Sequence, residues 1–192
     1  MLPVNCLTMR HDIDDQLQKP GTIGIIPTDT VYGIVARAAD ESAVKRLYEL
    51  KKRAHKPGTI IAANIEQLEM LGLKRRYLKA VEQFWPGAVS VIIPISDPRL
   101  AYLHQGQLSL AVRLPKLPEL QALLTRSGPL LTSSANPPGE PTAVNSEQAR
   151  AYFGDQVDFY EDGGDLSDRQ ASTLIRIVDD AVEVLRQGAV TV

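Results

Sequence analysis

The sequence predicts an α/β protein of the α+β type: a single domain over residues 1–192, core about 10–190, with helices packed on a twisted mixed sheet. Three observations point there. Apolar extended runs are interspersed with stretches of helical periodicity. Several of those runs follow one another closely enough to pair as hairpins, which a purely parallel sheet does not allow. A chain of 192 residues, 44% hydrophobic and 23% charged, fills one substantial core and leaves little room for a second.

The elements follow in order. Gly21 to Pro27 reads as a buried strand running into a turn, and Val31 to Ala36 as a second, so Thr28-Asp29-Thr30 lies on their connection. Asp40 is placed to cap a helix whose apolar positions Ala43, Val44, Leu47, Tyr48 and Leu50 recur at near-helical spacing. Thr59 to Ala63 is a strand. A helix through Tyr77, Val81 and Phe84 is stopped by Pro86-Gly87. Val89 to Pro94 and Leu108 to Leu114 are further strands. Pro118 suits the first turn of a helix carrying Leu120, Leu123 and Leu124, with Gly128-Pro129 as its stop. Leu130 to Thr132 is a strand feeding a polar turn. Asn145 with Gln148 resembles a capping box for a helix ended by Gly154. Strands over Ser172 to Val178 and Ala181 to Arg186 close the pattern, with Asp179-Asp180 as their turn. Irregular stretches are expected at 96–107, 134–145 and 161–171, and loops of that length in a compact domain are often functional.

Composition narrows the classes of function. The lone cysteine, Cys6, excludes an internal disulfide and fits a reducing, cytoplasmic setting. His11, His55 and His104 lie far apart and show no ligand spacing, so no metal site is expected. No apolar run approaches the ~20 residues that span a bilayer, and the N-terminus lacks a signal pattern, so neither membrane insertion nor export is expected. A net charge of −2 argues against broad attraction to a polyanion. Against that background one segment stands out. Lys51-Lys52-Arg53-Ala54-His55-Lys56 carries four fixed cations and no carboxylate. It follows a helix and precedes a strand, where α/β proteins bind ligands. Alone it reads either as a phosphate site or as a solvated basic loop. No GxxxxGK[ST] loop, complete GxGxxG or GxSxG motif is present, so a nucleotide site would be built differently and a hydrolase nucleophile is not indicated.

Taken together, Thr28-Asp29-Thr30-Val31-Tyr32-Gly33, Lys51-x-Arg53 with Lys56, Ser109-Leu110-Ala111-Val112-Arg113, Ser134-Ala135-Asn136, Ser172-Thr173 and Arg186 resemble the YrdC/Sua5 family of L-threonylcarbamoyladenylate synthases, in that order and spacing. The resemblance implies a YrdC-like fold with a concave basic cleft, of the short single-domain type. It implies a nucleotidyltransferase that condenses L-threonine, bicarbonate or CO₂ and ATP into threonylcarbamoyl-AMP and diphosphate. The product would pass to a tRNA threonylcarbamoyl transferase complex, for the adenosine beside the anticodon in tRNAs reading codons that begin with A. By the same resemblance, Arg53, Lys56, Ser109, Asn136, Thr142 and Arg186 would contact ATP. Lys51 and Arg53 would supply catalytic charge. Thr30, Arg113, Ser134 and Ser172 would bind threonine, and Mg²⁺ would arrive on the ATP phosphates. The residue types suit the chemistry: a carbamate and a polyphosphate repel until cations neutralise them, and a guanidinium grips a carboxylate as a fork.

The chain departs from the family pattern in having Asp29 where Glu is frequent and Ala54 where Pro is. Its spacing after the Lys-x-Arg motif is one residue shorter, and Pro138-Gly139 falls in a shortened loop, which blurs the alignment of Lys56 and Thr142. A non-catalytic protein holding tRNA or double-stranded RNA would account for Lys51 to Lys56 and Lys74-Arg75-Arg76, but not for Ser134-Ala135-Asn136 or the threonine set. A paralogue acting on another carbamoyl acceptor is the third reading.

Overall fold

The computed structural model describes residues 12–52, 56–179 and 181–192. Nine strands form one sheet: β1 (Ile23–Ile26), β2 (Gly33–Arg37), β3 (Thr59–Ile61), β4 (Val89–Pro94), β5 (Ser109–Arg113), β6 (Leu130–Ser134), β7 (Phe159–Tyr160), β8 (Thr173–Val178) and β9 (Ala181–Arg186). Their order is β7-β1-β2-β6-β3-β5-β4-β8-β9. Strands β1 and β7, β3 and β5, and β4 and β8 pair parallel, while the other neighbours run antiparallel. The sheet is mixed, as the hairpin spacing implied.

Among the described residues seven α-helices accompany it: α1 (Ile13–Gln18), α2 (Glu41–Leu50), α3 (Ile65–Met70), α4 (Arg75–Val81), α5 (Ala101–His104), α6 (Pro118–Ser127) and α7 (Ser146–Phe153). Asp40 caps α2 as expected, its Oδ1 accepting from the Ala43 N–H at 3.0 Å. Its Oδ2 accepts from the Gly21 N–H at 2.7 Å, tying the helix start to the approach to β1. On α2, Ala43, Val44, Leu47 and Tyr48 are buried. Each large apolar side chain contributes roughly 1.5–3 kcal/mol on full burial.

The two faces of the sheet are covered differently. Ile25, Ile34, Ile60, Leu131, Val112 and Val91 point to one side and join the apolar residues of α2, α3, α4, α5 and α7 in the main core. Alternation sends Ile26, Val35, Ile61 and Leu130 to the other side. There they pack with Ile13 and Leu17 of α1 and Leu120, Leu123 and Leu124 of α6, beside Phe159, Ala63 and Leu117. Helices α1 and α6 therefore cover one part of this face. The remainder, carried by Gly33, Thr59, Ala111, Thr132 and Ser134, stays open as the wall of a cavity.

Several expectations are corrected. The irregular stretch at 96–107 contains a 3₁₀ turn over Pro98–Leu100 and then α5. Asp97 starts it by accepting from the Arg99 N–H at 2.9 Å, and so short an element shows no period. The helix through Tyr77 ends as α-helix at Val81 and finishes as a 3₁₀ turn over Glu82–Phe84. The capping box is shifted: Asn145 accepts from the Gln148 N–H at 2.8 Å, but the Gln148 side chain accepts from Val144 N–H rather than from the cap residue. The last two strands occur where expected; Asp180 of their turn lies outside the described residues.

Gly24 must lack a side chain because the Phe159 ring lies across it, with Cζ 2.2 Å from where a Cβ would sit. Gly24→Ala is expected to cost about 1–3 kcal/mol through forced displacement of that ring. Urea unfolding checks this, and an unchanged midpoint would contradict the close approach.

Candidate active site

Small side chains make the cavity. Gly33 has no room for a Cβ, which would fall 2.5 Å from the Thr132 Oγ1, and Thr59, Ala111 and Ser134 add only short groups. The space they leave is about 170 Å³. Thr30 from the β1–β2 connection, Arg113 from the end of β5, Ser134 from the end of β6, Ser172 before β8 and Arg186 at the end of β9 all line it. The four residues expected to bind threonine thus share one cavity, with one of those expected to bind ATP at its wall.

Arg113 is the electrostatic centre. Its side chain is 4% exposed and forms an ion pair through Nη1 with the Asp29 carboxylate. Asp29 Oδ2 also accepts from the Lys116 N–H at 3.1 Å, which fixes the carboxylate from a second side. The Arg113 Nε is buried and has no partner among the described residues. A buried guanidinium N–H without an acceptor is costly.

The polar groups around it are held by their neighbours. Thr28 Oγ1 donates to the Val31 carbonyl at 2.6 Å and accepts from the Thr30 N–H at 3.1 Å. Ser172 Oγ lies 2.8 Å from Ser90 Oγ, and Arg186 Nη2 donates to the Ser172 carbonyl at 2.9 Å. The Thr28–Tyr32 segment is pinned from behind by the 161–171 stretch. Tyr32 OH donates to the Gly164 carbonyl at 2.8 Å and accepts from the Gly163 N–H at 2.7 Å, while Arg169 donates to the Thr28 carbonyl at 3.2 Å. Burial pushes the Tyr32 phenol up to about 12, so it remains a donor at any physiological pH.

Other expected residues sit elsewhere. Lys51 is buried, its Nζ donating to the Ser134 carbonyl at 2.7 Å, to the Asn136 carbonyl and to Asn136 Oδ1 at 3.0 Å. It thus grips the turn behind Ser134. Asn136 is turned the same way, with Nδ2 donating to the Glu140 carbonyl at 2.6 Å. Lys56 is exposed and Ser109 and Thr142 are half-buried, and none is among the cavity walls. Ser109 does share the open face of β5 with Ala111 and Arg113. Arg53 and His55 lie outside the described residues, as do Cys6 and His11. Among the described residues no group of His, Cys, Asp or Glu side chains is placed to hold a metal ion, and no helix is long and apolar enough to cross a membrane.

Residue patterns alone gave no role to Asp29, Thr28, Tyr32, Arg169 or Ser90. Asp29 was findable in principle, as a carboxylate on the connection beside a strand-end arginine. Ser90 was not, because its meeting with Ser172 depends on the parallel pairing of β4 with β8.

The fold and the cleft define a class: a YrdC-like α/β protein with a small polar cleft on the half-open face of a mixed sheet. The Sua5/YciO/YrdC family model, described as telomere recombination, matches residues 16–188, and the chain belongs to that family. It is 35% identical over 161 residues to the threonylcarbamoyl-AMP synthase of Pseudomonas paraeruginosa, covering 82% of this chain and 86% of that one. It is 32% identical to the threonylcarbamoyl-AMP synthase of Bacillus subtilis over 180 residues, 91% of this chain and 52% of that protein. Among solved structures, Pyrococcus abyssi Sua5 complexed with L-threonine matches with a TM-score of 0.76 at 33% identity, over 88% of this chain and 51% of that one. The chain thus spans about half the length of the Bacillus and Pyrococcus proteins. YciO of E. coli, at 24% identity and a TM-score of 0.76, shares the fold.

Removing the counter-charge of a buried cation costs about 3–5 kcal/mol. Asp29→Ala should lower stability by that order in urea unfolding, and adding Arg113→Met should restore much of it. Equal stability of Asp29→Ala and wild type would contradict the buried pair.

Proposed function

We propose that this chain is an enzyme that forms threonylcarbamoyl-AMP and diphosphate from L-threonine, bicarbonate or CO₂, and ATP. The observation that carries this reading is the buried Arg113: a guanidinium anchored on one side by Asp29 at the wall of a cavity ringed by short hydroxyls. A carboxylate satisfies that group, and the hydroxyls of Thr30, Ser134 and Ser172 suit the amine and hydroxyl of a small amino acid. Relatives named threonylcarbamoyl-AMP synthase, and a Sua5 structure holding L-threonine, support the choice of amino acid.

The reaction requires threonine's amine to be uncharged when it attacks the one-carbon unit. The resulting carbamate oxygen then attacks the α-phosphorus of ATP, and diphosphate leaves. Held by Arg113, the substrate carboxylate fixes where that carbamate forms, which lowers the entropic cost of assembling three reactants. Arg186 at the wall, with Arg53 and Lys56 of the basic run, would neutralise the phosphates. Ser109, Asn136 and Thr142 would complete the nucleotide contacts, and Mg²⁺ would come with the ATP phosphates. Lys51 would add positive charge behind Ser134. The product serves threonylcarbamoyl modification of tRNA in the cytoplasm through a transferase complex. A purely RNA-binding role would leave the buried, anchored Arg113 without a ligand.

Diphosphate release tests this. Incubated with ATP, bicarbonate and a panel of amino acids, the protein should release diphosphate only when L-threonine and bicarbonate are both present. Release independent of either would contradict the proposal.

A further inference from the structure

Hydroxyl protons in the cavity are assignable, because each hydroxyl has one proton to give and several of its neighbours can only accept or only donate. Thr28 Oγ1 lies 2.6 Å from the Val31 carbonyl oxygen, which can only accept. The Thr28 proton is therefore committed there. Thr28 Oγ1 can then only accept from Thr30 Oγ1, 3.0 Å away, so the Thr30 proton is committed in turn.

Ser134 is fixed by a different chain of reasoning with the same outcome. The Lys51 ammonium has protons to give and nothing to accept with, so the Asn136 side-chain atom 3.0 Å from it is the amide oxygen. The amide nitrogen, 2.6 Å from the Glu140 carbonyl, demands the same orientation. Ser134 Oγ sits 2.7 Å from that amide oxygen and must donate to it.

We infer that Thr28 and Lys51 are positioning residues that set the polarity of the cleft: they commit the protons of Thr30 and Ser134 to the protein, so both hydroxyls meet the ligand as acceptors. The inference rests on the threonine reading of the cleft and adds a specificity rule to it. Arg113 provides the donor for a carboxylate, and Thr30 and Ser134 provide acceptors for ligand N–H and O–H groups. A ligand with fluorine in place of its side-chain hydroxyl keeps the shape but brings an acceptor against an acceptor, which such a site rejects.

Titration calorimetry with L-threonine and with its analogue bearing fluorine in place of the side-chain hydroxyl tests this in wild type, Thr28→Val and Lys51→Met. Wild type should favour L-threonine by about 10-fold or more. Thr28→Val frees the Thr30 proton, and Lys51→Met removes one of the two contacts that turn the Asn136 amide oxygen toward Ser134, leaving the Glu140 carbonyl as the other. In at least one variant the preference should fall to about 3-fold or less, because a freed hydroxyl can donate to fluorine. A role limited to holding the loops would weaken both ligands by one factor and leave the ratio unchanged. If one variant fails to fold by circular dichroism, the other carries the test. An unchanged ratio in the folded variants, with L-threonine still bound by wild type, overturns this inference alone. Failure of wild type to bind L-threonine overturns it together with the reading of the cleft.

Discussion

A cation buried at the end of a central strand needs a fixed counter-charge, and much of the site follows from meeting that need at Arg113. Strand β5 lies between β3 and β4, so its last residue emerges near the middle of the sheet rather than at an edge. The Asp29 carboxylate reaches it from the β1–β2 connection, and the backbone at Lys116, just before α6, holds the carboxylate in place. Together these contacts join two segments distant in sequence, the β1–β2 connection and the stretch from the end of β5 to the start of α6. Burial makes the pair expensive to break. The short Asp29 side chain is long enough for its carboxylate to reach both partners.

Uneven covering of the sheet provides the room. One face is sealed by five helices in a continuous core, while α1 and α6 seal only part of the other. Beyond them the alternating residues are Gly, Ala, Ser and Thr, too small to fill the space and able to hydrogen-bond within it. Lys51 is a second buried cation, partnered by oxygens of Ser134 and Asn136. The two cations therefore do different work: Arg113 faces the cavity, whereas Lys51 stabilises the turn that shapes its wall.

How much was legible in the sequence depended on whether the determinant was local. Strand β4 and helix α2 were readable because alternation, period and the Asp40 cap all lie within a few residues. Helices α1 and α3, at six residues each, span less than two turns and give no usable period. The two-residue strand β7 exists only because Phe159 and Tyr160 pair with Gly24 and Ile25. That Thr30, Arg113, Ser134 and Ser172 share a site was suggested by motif order, yet the contacts of Thr28 and the inward grip of Lys51 required hydrogen-bond partners that no spacing reveals. Ser109, Lys56 and Thr142 show the converse: the motif names them, while the cavity walls are built by others.

The central claim is that Arg113 anchors a ligand carboxylate, and a comparison of L-threonine with L-threoninamide by titration calorimetry tests it most directly. The amide keeps the amine, hydroxyl and methyl but lacks the charged fork partner. L-threoninamide should bind about 10- to 100-fold more weakly than L-threonine. Equal affinity for the two would contradict it.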